Sequence, residues 1–408
     1  MRILNFGSCN LDFVYTLDHI VRPGETETTY DFKIFPGGKG LNQSIALARA
    51  GAKVYHAGCI GNDGEMLSDI LSGSGVDITY LEKADIKNGH AVIQVSAKGE
   101  NSIFLYPGSN EKITKAMIDE VLENFQAEDI IILQNEISNV DYIIKKACEK
   151  KMCIVFNPSP FDERLKDIDY NMISYLLINE VEAKGISGLS EPEEALTYLE
   201  EKYKSMKIVL TLGSKGCIYF DGKEKIYQSA YKVEVKDTTA AGDTFTGYFV
   251  SEISKSTDVR KALQIASAAS AIAVSREGAA PSIPLYEETK EALENFKKRK
   301  LNKEESLEDK IKDYIEENIK TADINELAQK LGYTTVYTGV LVKKITGYSF
   351  TDFVKRKRCS KAAKMLVETT MPIQQIINEI GYENQSFFRK MFKEKYGETP
   401  LKYRKNRE

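Results

Sequence analysis

The stretch Asp237-Thr238-Thr239-Ala240-Ala241-Gly242-Asp243-Thr244-Phe245-Thr246-Gly247 joins a run of small residues to the start of a helical pattern. Small residues before a helix leave backbone N–H groups exposed, and together with the helix dipole these groups form an anion site. Asp243 stands at the same helix start, and the presence of a negative side chain at an anion site requires an explanation. Phosphoryl transfer supplies one, because the carboxylate can accept a hydroxyl proton while the amides hold the moving charge. The alternative is an ordinary helix start with an aspartate in its first turn.

The sequence around this stretch alternates β-rich runs with helical patterns from residue 1 to about 296. This alternation predicts an α/β fold with a mostly parallel sheet and helices on both faces. Strands are predicted at Arg2–Gly7, Val54–Gly58, Ile130–Gln134, Cys153–Asn157, Tyr175–Asn179 and Ile208–Thr211, and helices at Leu41–Ala50, Met66–Ser72, Val140–Lys150, Glu191–Glu201 and Asp243–Ile253. Two further segments, Asp31–Phe35 and the hairpin Ala91–Tyr106, are expected to form a small separate sheet.

Composition limits the classes of protein that this chain can belong to. A length of 408 residues suggests two or three domains, and no apolar run approaches the ~20 residues of a membrane span. The six cysteines form no C-x-x-C pair, which is typical of a reducing, cytoplasmic setting. Only three histidines are present, so we expect carboxylates to perform any proton transfer.

The charge is distributed unevenly along the chain. From residue 321 to the end there are 17 basic and 9 acidic residues, whereas residues 1–320 carry 39 basic and 51 acidic ones. A basic tail suggests a polyanionic partner, although like charges on a solvated helix face remain an alternative. We place the domain boundaries at 1–297 and 306–408, with a charged linker at 298–305.

An internal repeat marks the tail. The apolar positions of Ile324–Tyr333 recur about 49 residues later in Ile373–Tyr382, and each copy ends in Gly-Tyr. Apolar residues at helical spacing before a glycine indicate a short helix and a tight turn. A second helical pattern follows each copy, at Val336–Ile345 and Gln385–Tyr396, which predicts a duplicated helix-turn-helix.

Five motifs in order make residues 1–296 resemble the ribokinase/PfkB family of carbohydrate kinases. They are Gly7-Ser8-Cys9-Asn10-Leu11-Asp12, Gly37-Gly38-Lys39-Gly40-Leu41-Asn42-Gln43, Asn179-Glu180-Val181-Glu182, Thr211-Leu212-Gly213-Ser214-Lys215-Gly216 and the Asp237–Gly247 stretch. The resemblance implies a ribokinase-like sheet with a small β-lid. It also implies ATP-dependent phosphorylation of a sugar, with D-ribose as the expected substrate and ribose 5-phosphate as the product.

The resemblance also implies roles for individual residues. Asp243 would be the general base, and the amides of Ala240, Ala241 and Gly242 the anion hole. Sugar contacts would come from Asn10, Asp12, Gly38, Lys39, Gly40, Asn42, Glu136 and Asp243, and ATP contacts from Asn179, Thr211, Gly213, Ser214, Lys215, Gly216, Gly242 and Ser267. Glu182 would hold Mg²⁺ through water, and K⁺ would lie near Asp237, Thr239, Ala273, Arg276, Gly278 and Ser282.

The tail, residues 306–408, resembles the AraC/XylS-type DNA-binding domain, an all-α fold with two helix-turn-helix units. The resemblance rests on Ile324–Tyr333, Pro372–Tyr382, Asn384–Lys393 and Gly397–Pro400. It implies that the second helix of each unit enters the major groove of double-stranded DNA. Residues expected to meet DNA are Thr335, Tyr337, Thr338, Lys343, Lys344, Glu383, Asn384, Gln385, Arg389, Lys390 and Lys393. The stripe of Phe387, Phe388 and Phe392 is predicted to be core.

The whole chain is therefore expected to be a sugar kinase with a fused sequence-specific DNA-binding domain for transcription regulation. One alternative is a regulator whose kinase fold serves only as a sugar sensor, and another is that the tail serves only as a protein-interaction module. The presence of the base, the anion-site residues and Glu182 favours a working kinase, since a sensor needs no base. A homodimer through the lid is a further expectation from the resemblance.

Overall fold

The computed structural model describes residues 1–255, 258–382 and 384–407, and within these the side chains of 299–306 lie outside the description. The chain divides into two compact units, Met1–Glu294 and Asn295–Glu408. Within the described residues no helix is long and apolar enough to cross a membrane.

The first unit is built on a nine-stranded sheet with a second sheet of four strands. Its strands are β1 Ile3–Phe6, β2 Asn10–Leu17, β3 Asp31–Gly37, β4 Val54–Ile60, β5 Asp77–Lys83, β6 Gly89–Ser96, β7 Asn101–Tyr106, β8 Ile130–Gln134, β9 Cys153–Asn157, β10 Tyr175–Asn179, β11 Lys207–Thr211, β12 Cys217–Phe220 and β13 Lys225–Gln228. The large sheet has the order β13-β12-β11-β10-β9-β8-β1-β4-β5, and it is parallel except that β12 pairs antiparallel with both β11 and β13. The predicted mostly parallel sheet is confirmed.

In the described part of the first unit there are eight α-helices, and a ninth begins there. They are α1 Lys39–Arg49, α2 Glu65–Gly73, α3 Lys115–Glu123, α4 Val140–Glu149, α5 Glu180–Ser187, α6 Pro192–Lys202, α7 Ala241–Ser254, α8 Val259–Val274 and α9 Tyr286–Glu317. Alternate strand residues such as Leu133, Phe156 and Leu176 share one core with α3, α4 and α6. Helix α7 packs against α1 on one side and against α8 on another. Leu41 of α1, Phe249 of α7 and Leu263 of α8 are buried.

The small sheet has the order β3-β2-β6-β7, with β6 and β7 joined as the predicted hairpin. Strand β2, Asn10–Leu17, was not predicted from the sequence, and it forms an interior strand of this small sheet between β3 and β6. Gly7, Ser8 and Cys9 belong to neither strand and separate β1 from β2, so the chain leaves the large sheet and enters the small one within three residues.

The second unit is helical. After the end of α9 it contains α10 Ile324–Leu331, α11 Thr335–Thr346, α12 Phe350–Glu368, α13 Ile373–Glu379, α14 Gln385–Tyr396 and α15 Pro400–Lys405. Helix α12 is shared by two cores: Val354 belongs to the core of α9, α10 and α11, and Ala362 and Leu366 belong to that of α13 and α14. The predicted pair of helix-turn-helix units is therefore present.

One expectation about the chain between the units differs from the structure. The segment 298–305 was predicted to be a linker, but it falls inside helix α9, which runs from Tyr286 to Glu317. Lysine, glutamate and leucine are good helix formers, and the segment has no glycine or proline to end the helix. The domain boundaries at 297 and 306 stay a prediction.

Candidate active site and nucleic-acid interface

A cleft of about 920 Å³ opens where the parallel strands of the large sheet end. The polar side chains that line it follow or end these strands, as expected for a ligand site of an open α/β sheet. They include Asn10 after β1, Glu136 after β8, and Asn157, Asn179 and Thr211 at the ends of β9, β10 and β11. The small sheet lines the cleft with alternate residues, Val14 and Thr16 of β2 among them.

Asp243 lies in the first turn of α7 and lines this cleft. Its carboxylate is buried and accepts two hydrogen bonds from neighbouring residues of α1. Asn42 Nδ2 donates to Oδ2 at 3.1 Å, and Gln43 Nε2 donates to Oδ1 at 2.9 Å. Asp243 therefore stands beside Asn42 at the cleft, as the sequence predicted.

Gln43 is a site residue that the sequence analysis did not single out. Its amide orientation follows from its neighbours: Asn157 Nδ2 donates to Leu177 O at 2.9 Å, so Asn157 Oδ1 is the acceptor for Gln43 Nε2 at 3.1 Å. Gln43 Oε1 in turn accepts from Gln134 Nε2 at 2.8 Å. The nitrogen of Gln43 thus faces Asp243, and Gln43 itself is fully buried and does not line the cleft. Its place inside the glycine-rich motif was the one signal in the sequence.

The turn before α7 presents backbone amides to the cleft. Ala240 adopts a left-handed conformation with φ 58° and ψ 9°, which is uncommon for a residue with a side chain. The N–H groups of Ala240 and Gly242 meet no acceptor in the described part of the chain, whereas Ala241 N donates to Thr238 O at 3.3 Å. Two of the three amides predicted for the anion hole are therefore available, and the third is held by a long hydrogen bond.

On the sugar side, the structure brings the predicted polar residues together with one exception. Asn10, Asp12, Gly38, Lys39, Asn42 and Glu136 all line the cleft. Gly40 does not: a Cβ there would lie 2.3 Å from Ser8 N, so this glycine permits the close approach of α1 to the chain after β1. Ser8, which the sequence analysis gave no separate role, donates to the Glu136 carboxylate, as does Lys39 N at 3.0 Å.

Charge is concentrated around Lys39. Burial and the nearby Glu136 carboxylate raise the pKa of Asp12 to about 7, although the Lys39 ammonium acts in the opposite direction. Burial would lower the pKa of Lys39, but four surrounding carboxylates raise it above its usual value. They are Asp243, Glu136, Glu182 and Asp12. Lys39 is therefore a partly buried ammonium in an acidic cleft.

The predicted nucleotide residues divide into two groups. Asn179, Thr211, Gly242 and Glu182 line the cleft, and Asn179 with Glu182 forms a capping box at the start of α5. The Asn179 side-chain oxygen accepts from Val181 N and Glu182 N, so only its amide nitrogen can serve a ligand. The others do not line the cleft: Gly213, Ser214, Lys215 and Gly216 lie in or beside a short 3-10 turn after β11, and Ser267 is buried on α8 next to Cys217.

The predicted potassium residues lie on two loops that are tied together. Asp237 accepts from Thr239 N and Thr239 Oγ1 at 2.9 and 2.6 Å, and from Gly278 N at 3.0 Å. Burial opposes ionisation of Asp237, but these hydrogen bonds lower its pKa. Asp237, Thr239 and Gly278 line the cleft, whereas Ala273, Arg276 and Ser282 do not. The Arg276 guanidinium pairs with Glu288, so only its backbone could serve an ion.

In the second unit, α11 and α14 expose most of the residues predicted to meet DNA. Tyr337, Lys343 and Lys344 are exposed on α11, and Gln385, Arg389, Lys390 and Lys393 are exposed on α14. Thr338 is a correction: it is fully buried against the core of the first helix-turn-helix unit and cannot reach a base. The helical spacing places it on the same face as Leu341 and Val342.

Several polar residues at the helix starts already have partners. Asn384 Oδ1 caps α14 by accepting from Phe387 N at 3.0 Å, and Thr335 Oγ1 donates to Asn325 Oδ1 at 2.9 Å. Of the aromatic stripe, Phe388 and Phe392 are fully buried as predicted, but Phe387 is exposed. Glu383 lies outside the described residues.

Comparison with known proteins agrees with both architectures. The profile of the pfkB family of carbohydrate kinases matches residues 2–285, and that of a helix-turn-helix domain matches residues 327–406. Ribokinase from Haemophilus influenzae is 34% identical over 300 residues, covering 71% of this chain and 97% of that enzyme.

Two solved structures resemble the first unit. Ribokinase from Cryptococcus neoformans in complex with ADP aligns with a TM-score of 0.65 at 36% identity, covering 71% of this chain and 99% of that one. Arabidopsis thaliana ribokinase complexed with ribose and ATP aligns with a TM-score of 0.64 at 27% identity, covering 72% of this chain and 98% of that one. This chain therefore belongs to the pfkB family of carbohydrate kinases, and it carries a helix-turn-helix domain in its second unit.

Proposed function

We propose that the first unit transfers the γ-phosphoryl group of ATP to the primary hydroxyl of D-ribose, forming ribose 5-phosphate and ADP. The observation that carries this proposal is the Asp243 carboxylate, held by Asn42 and Gln43 at a cleft lined with Asn10, Asp12 and Lys39. Relatives at about a third identity are ribokinases, and this supports ribose over other sugars.

The reaction follows from the arrangement of these groups. Asp243 accepts the proton of the sugar hydroxyl, whose oxygen forms a bond to the γ-phosphorus. The bond between that phosphorus and the bridging oxygen breaks, and ADP leaves with the electron pair. The free amides of Ala240 and Gly242, at the positive end of α7, stabilise the charge on the transferred group. Lys39 supplies a further positive charge to the acidic cleft.

An unpaired acceptor in the cleft fits a sugar. The side-chain oxygen of Asn42 is buried and has no hydrogen-bond partner among the residues that the structure describes, while its nitrogen donates to Asp243. A buried acceptor without a donor is unfavourable by about 1–3 kcal/mol. A sugar hydroxyl placed beside Asn42 would remove this cost, and the same hydroxyl group could accept from other donors.

We propose binding positions for the nucleotide and the metal ions from cleft residues other than those assigned to the sugar. Asn179 and Thr211 would contact ATP, and Glu182 would orient Mg²⁺ through water, because Mg²⁺ keeps several waters and takes few protein ligands. The Glu182 carboxylate is buried, lines the cleft and is oriented by a hydrogen bond from Asn179 N at 2.8 Å. Backbone oxygens of the two tied loops at Asp237 and Gly278 would hold K⁺. The metal ions would neutralise phosphate charge.

A panel of sugars tests the proposed substrate. ADP release by the full chain is measured with ATP and ribose, deoxyribose, fructose or a nucleoside, and kcat/KM is expected to be highest with ribose. Highest kcat/KM with another sugar would refute ribose while leaving a carbohydrate kinase. No turnover with any of them would favour the alternative of a sugar sensor.

Replacing Gln43 with methionine is expected to lower kcat about tenfold with little change in the KM for sugar. The variant removes one charge-assisted hydrogen bond to Asp243, worth about 1.5 kcal/mol or more, yet Gln43 does not line the cleft. The exposed Gln126 offers a matched control, since Gln126→Met should leave kcat unchanged. A rise in KM with an unaltered kcat would contradict this positioning role.

Sugar binding is expected to strengthen as the pH rises. Because the pKa of Asp12 is about 7, this carboxyl is mostly protonated at pH 6 and mostly ionised at pH 8. The ionised form accepts hydrogen bonds from sugar hydroxyls, so KM for the sugar should fall about tenfold between these pH values. Initial rates over this range measure the effect. Asp12→Asn should flatten the profile, and an equally steep profile in that variant would exclude Asp12 as its source.

For the second unit, we propose sequence-specific binding of double-stranded DNA and regulation of transcription in response to the sugar. The basic excess after residue 321 and the exposed lysines of α11 and α14 support contact with phosphates. A gel-shift assay of the full chain with and without sugar plus ATP tests the coupling. Identical DNA affinity under all conditions would show that the two activities are independent.

A homodimer through the small sheet is the remaining proposal. The face of this sheet opposite the cleft carries exposed Phe32, Ile34, Phe104 and Tyr106, which form an apolar surface. Sedimentation of the wild-type chain beside Phe104→Asp tests it, with a dimer expected only for the former. A wild-type monomer would refute the proposal.

A further inference from the structure

Helix α11 exposes an apolar surface where a helix-turn-helix meets DNA. Val336 is 80% exposed, Val340 62% and Tyr337 52%. Val336 and Val340 are four residues apart and so lie on one face of the helix. The opposite face, with Thr338, Leu341 and Val342, is buried. The buried face of α11 therefore makes the contacts of this helix with the core, and the two exposed valines do not contribute to the core.

The second recognition helix provides a comparison within the same chain. The two helices correspond at an offset of 50 residues, which aligns the capping residues Thr334 and Asn384 and the buried Val342 and Phe392. At this offset Val336 corresponds to Ser386, and Val340 corresponds to Lys390. Both α14 residues are exposed and polar. The same surface positions thus carry apolar side chains on α11 and hydrogen-bonding side chains on α14.

Gly339 adds an independent observation. It lies in the interior of α11, where glycine is unfavourable by roughly 1 kcal/mol relative to alanine. Among the described residues a Cβ at this position would meet Ile324 Cδ1 alone, at 3.6 Å, which is an ordinary contact, so packing there does not require glycine. Its counterpart on α14 is the exposed Arg389. The absence of a side chain between the two valines lets the α11 backbone come close to a flat surface.

We propose that α11 recognises thymine methyl groups in the major groove through Val336 and Val340. The thymine 5-methyl is the apolar feature that base edges present in this groove, and valine offers no hydrogen bond that could distinguish the other bases. Short valine side chains beside Gly339 allow the approach that methyl contact requires. Lys343, one turn further along and exposed, is placed for a phosphate. This inference rests on the proposed DNA binding.

The DNA target would accordingly be asymmetric. The half-site under α11 would be defined by the positions of thymines, whereas the half-site under α14 would be read by hydrogen bonds from Gln385 and Arg389. Removal of thymine methyl groups should therefore weaken binding in one half-site more than in the other.

The experiment begins with selection of a binding site for the full chain from a random duplex library. Thymines of the selected site are then replaced one at a time by deoxyuridine, which lacks only the methyl group. Binding is expected to weaken about fourfold for each contacted methyl, and these positions should fall in one half-site. In the Val336→Ala/Val340→Ala variant, the same replacements should have little effect.

Val367→Ala is the matched control, because Val367 is an exposed valine on α12 of the same unit. It should keep the sensitivity to deoxyuridine. Wild-type affinity that is unaltered by every replacement would overturn methyl recognition while leaving DNA binding intact. A double variant that keeps the full sensitivity would exclude the two valines. Failure to select any duplex would refute the proposed DNA binding, and the inference with it.

Discussion

Asp243→Asn is expected to lower kcat for sugar phosphorylation by roughly 10²–10⁴-fold, the usual contribution of a positioned general base. Asparagine has nearly the same shape and can still accept from Asn42 or Gln43, but it cannot take a proton from the sugar hydroxyl. The amides before α7 and the polar residues of the cleft remain in place. ADP release coupled to the sugar substrate measures the effect.

The control for this variant is another aspartate in a helix first turn. Asp141 lies in the first turn of α4, is exposed and does not line the cleft, so Asp141→Asn should leave kcat unchanged. Thermal unfolding of both variants shows whether the fold is retained. A kcat for Asp243→Asn within a fewfold of the wild type would remove Asp243 as the base, and with it the central argument for the proposed mechanism.

Gly247→Ala is the second change for which a large effect is expected. Gly247 lies one turn after Asp243 on α7 and faces α1: a Cβ there would be 2.4 Å from Ala46 Cβ and 2.9 Å from Leu47 N. The helices must move apart to admit the methyl group, which should destabilise the unit by about 1–3 kcal/mol. Since Asn42 and Gln43 lie one turn before this contact, their hydrogen bonds to Asp243 should lengthen.

A displacement of about 1 Å at a reacting group can lower the rate about 10²-fold, and we expect a loss of kcat of this order for Gly247→Ala. Urea unfolding and initial rates measure the two effects separately. Gly73 provides the control because it also lies in a helix, α2, but its added Cβ would meet nothing within 4 Å. Gly73→Ala should keep both stability and kcat, whereas a fully active Gly247→Ala would refute the role of the close helix contact.

Much of the site follows from short motifs, because each motif is a local feature. The small residues of Asp237–Gly247 mark a helix start with free amides, and Asp243 is found in the first turn as predicted. The Gly-Tyr endings of the tail repeat mark two helix-turn-helix units, since a left-handed glycine such as Gly332 ends a helix whatever surrounds it.

Other features depend on residues that are distant in the sequence. Gln43 and Asp243 are 200 positions apart, and nothing near Gln43 indicates that its amide nitrogen faces a carboxylate. Thr338 and Tyr337 are neighbours, yet one is buried and the other exposed, because the packing of α11 decides which face is covered. The segment 298–305 resembled a linker by its charge, but charge does not distinguish a solvated loop from a solvated helix.

The sequence by itself determined the two kinds of domain, the place of Asp243 in a helix first turn beside free amides, and the duplicated helix-turn-helix units, because these depend on backbone chemistry within a few residues. Only the tertiary structure decided that Gln43 donates to the Asp243 carboxylate, that Gly247 brings α1 and α7 together, and that Val336 and Val340 remain on the surface. Those properties arise where separate elements pack. Because the whole fold determines which elements pack together, no local sequence pattern indicates these contacts.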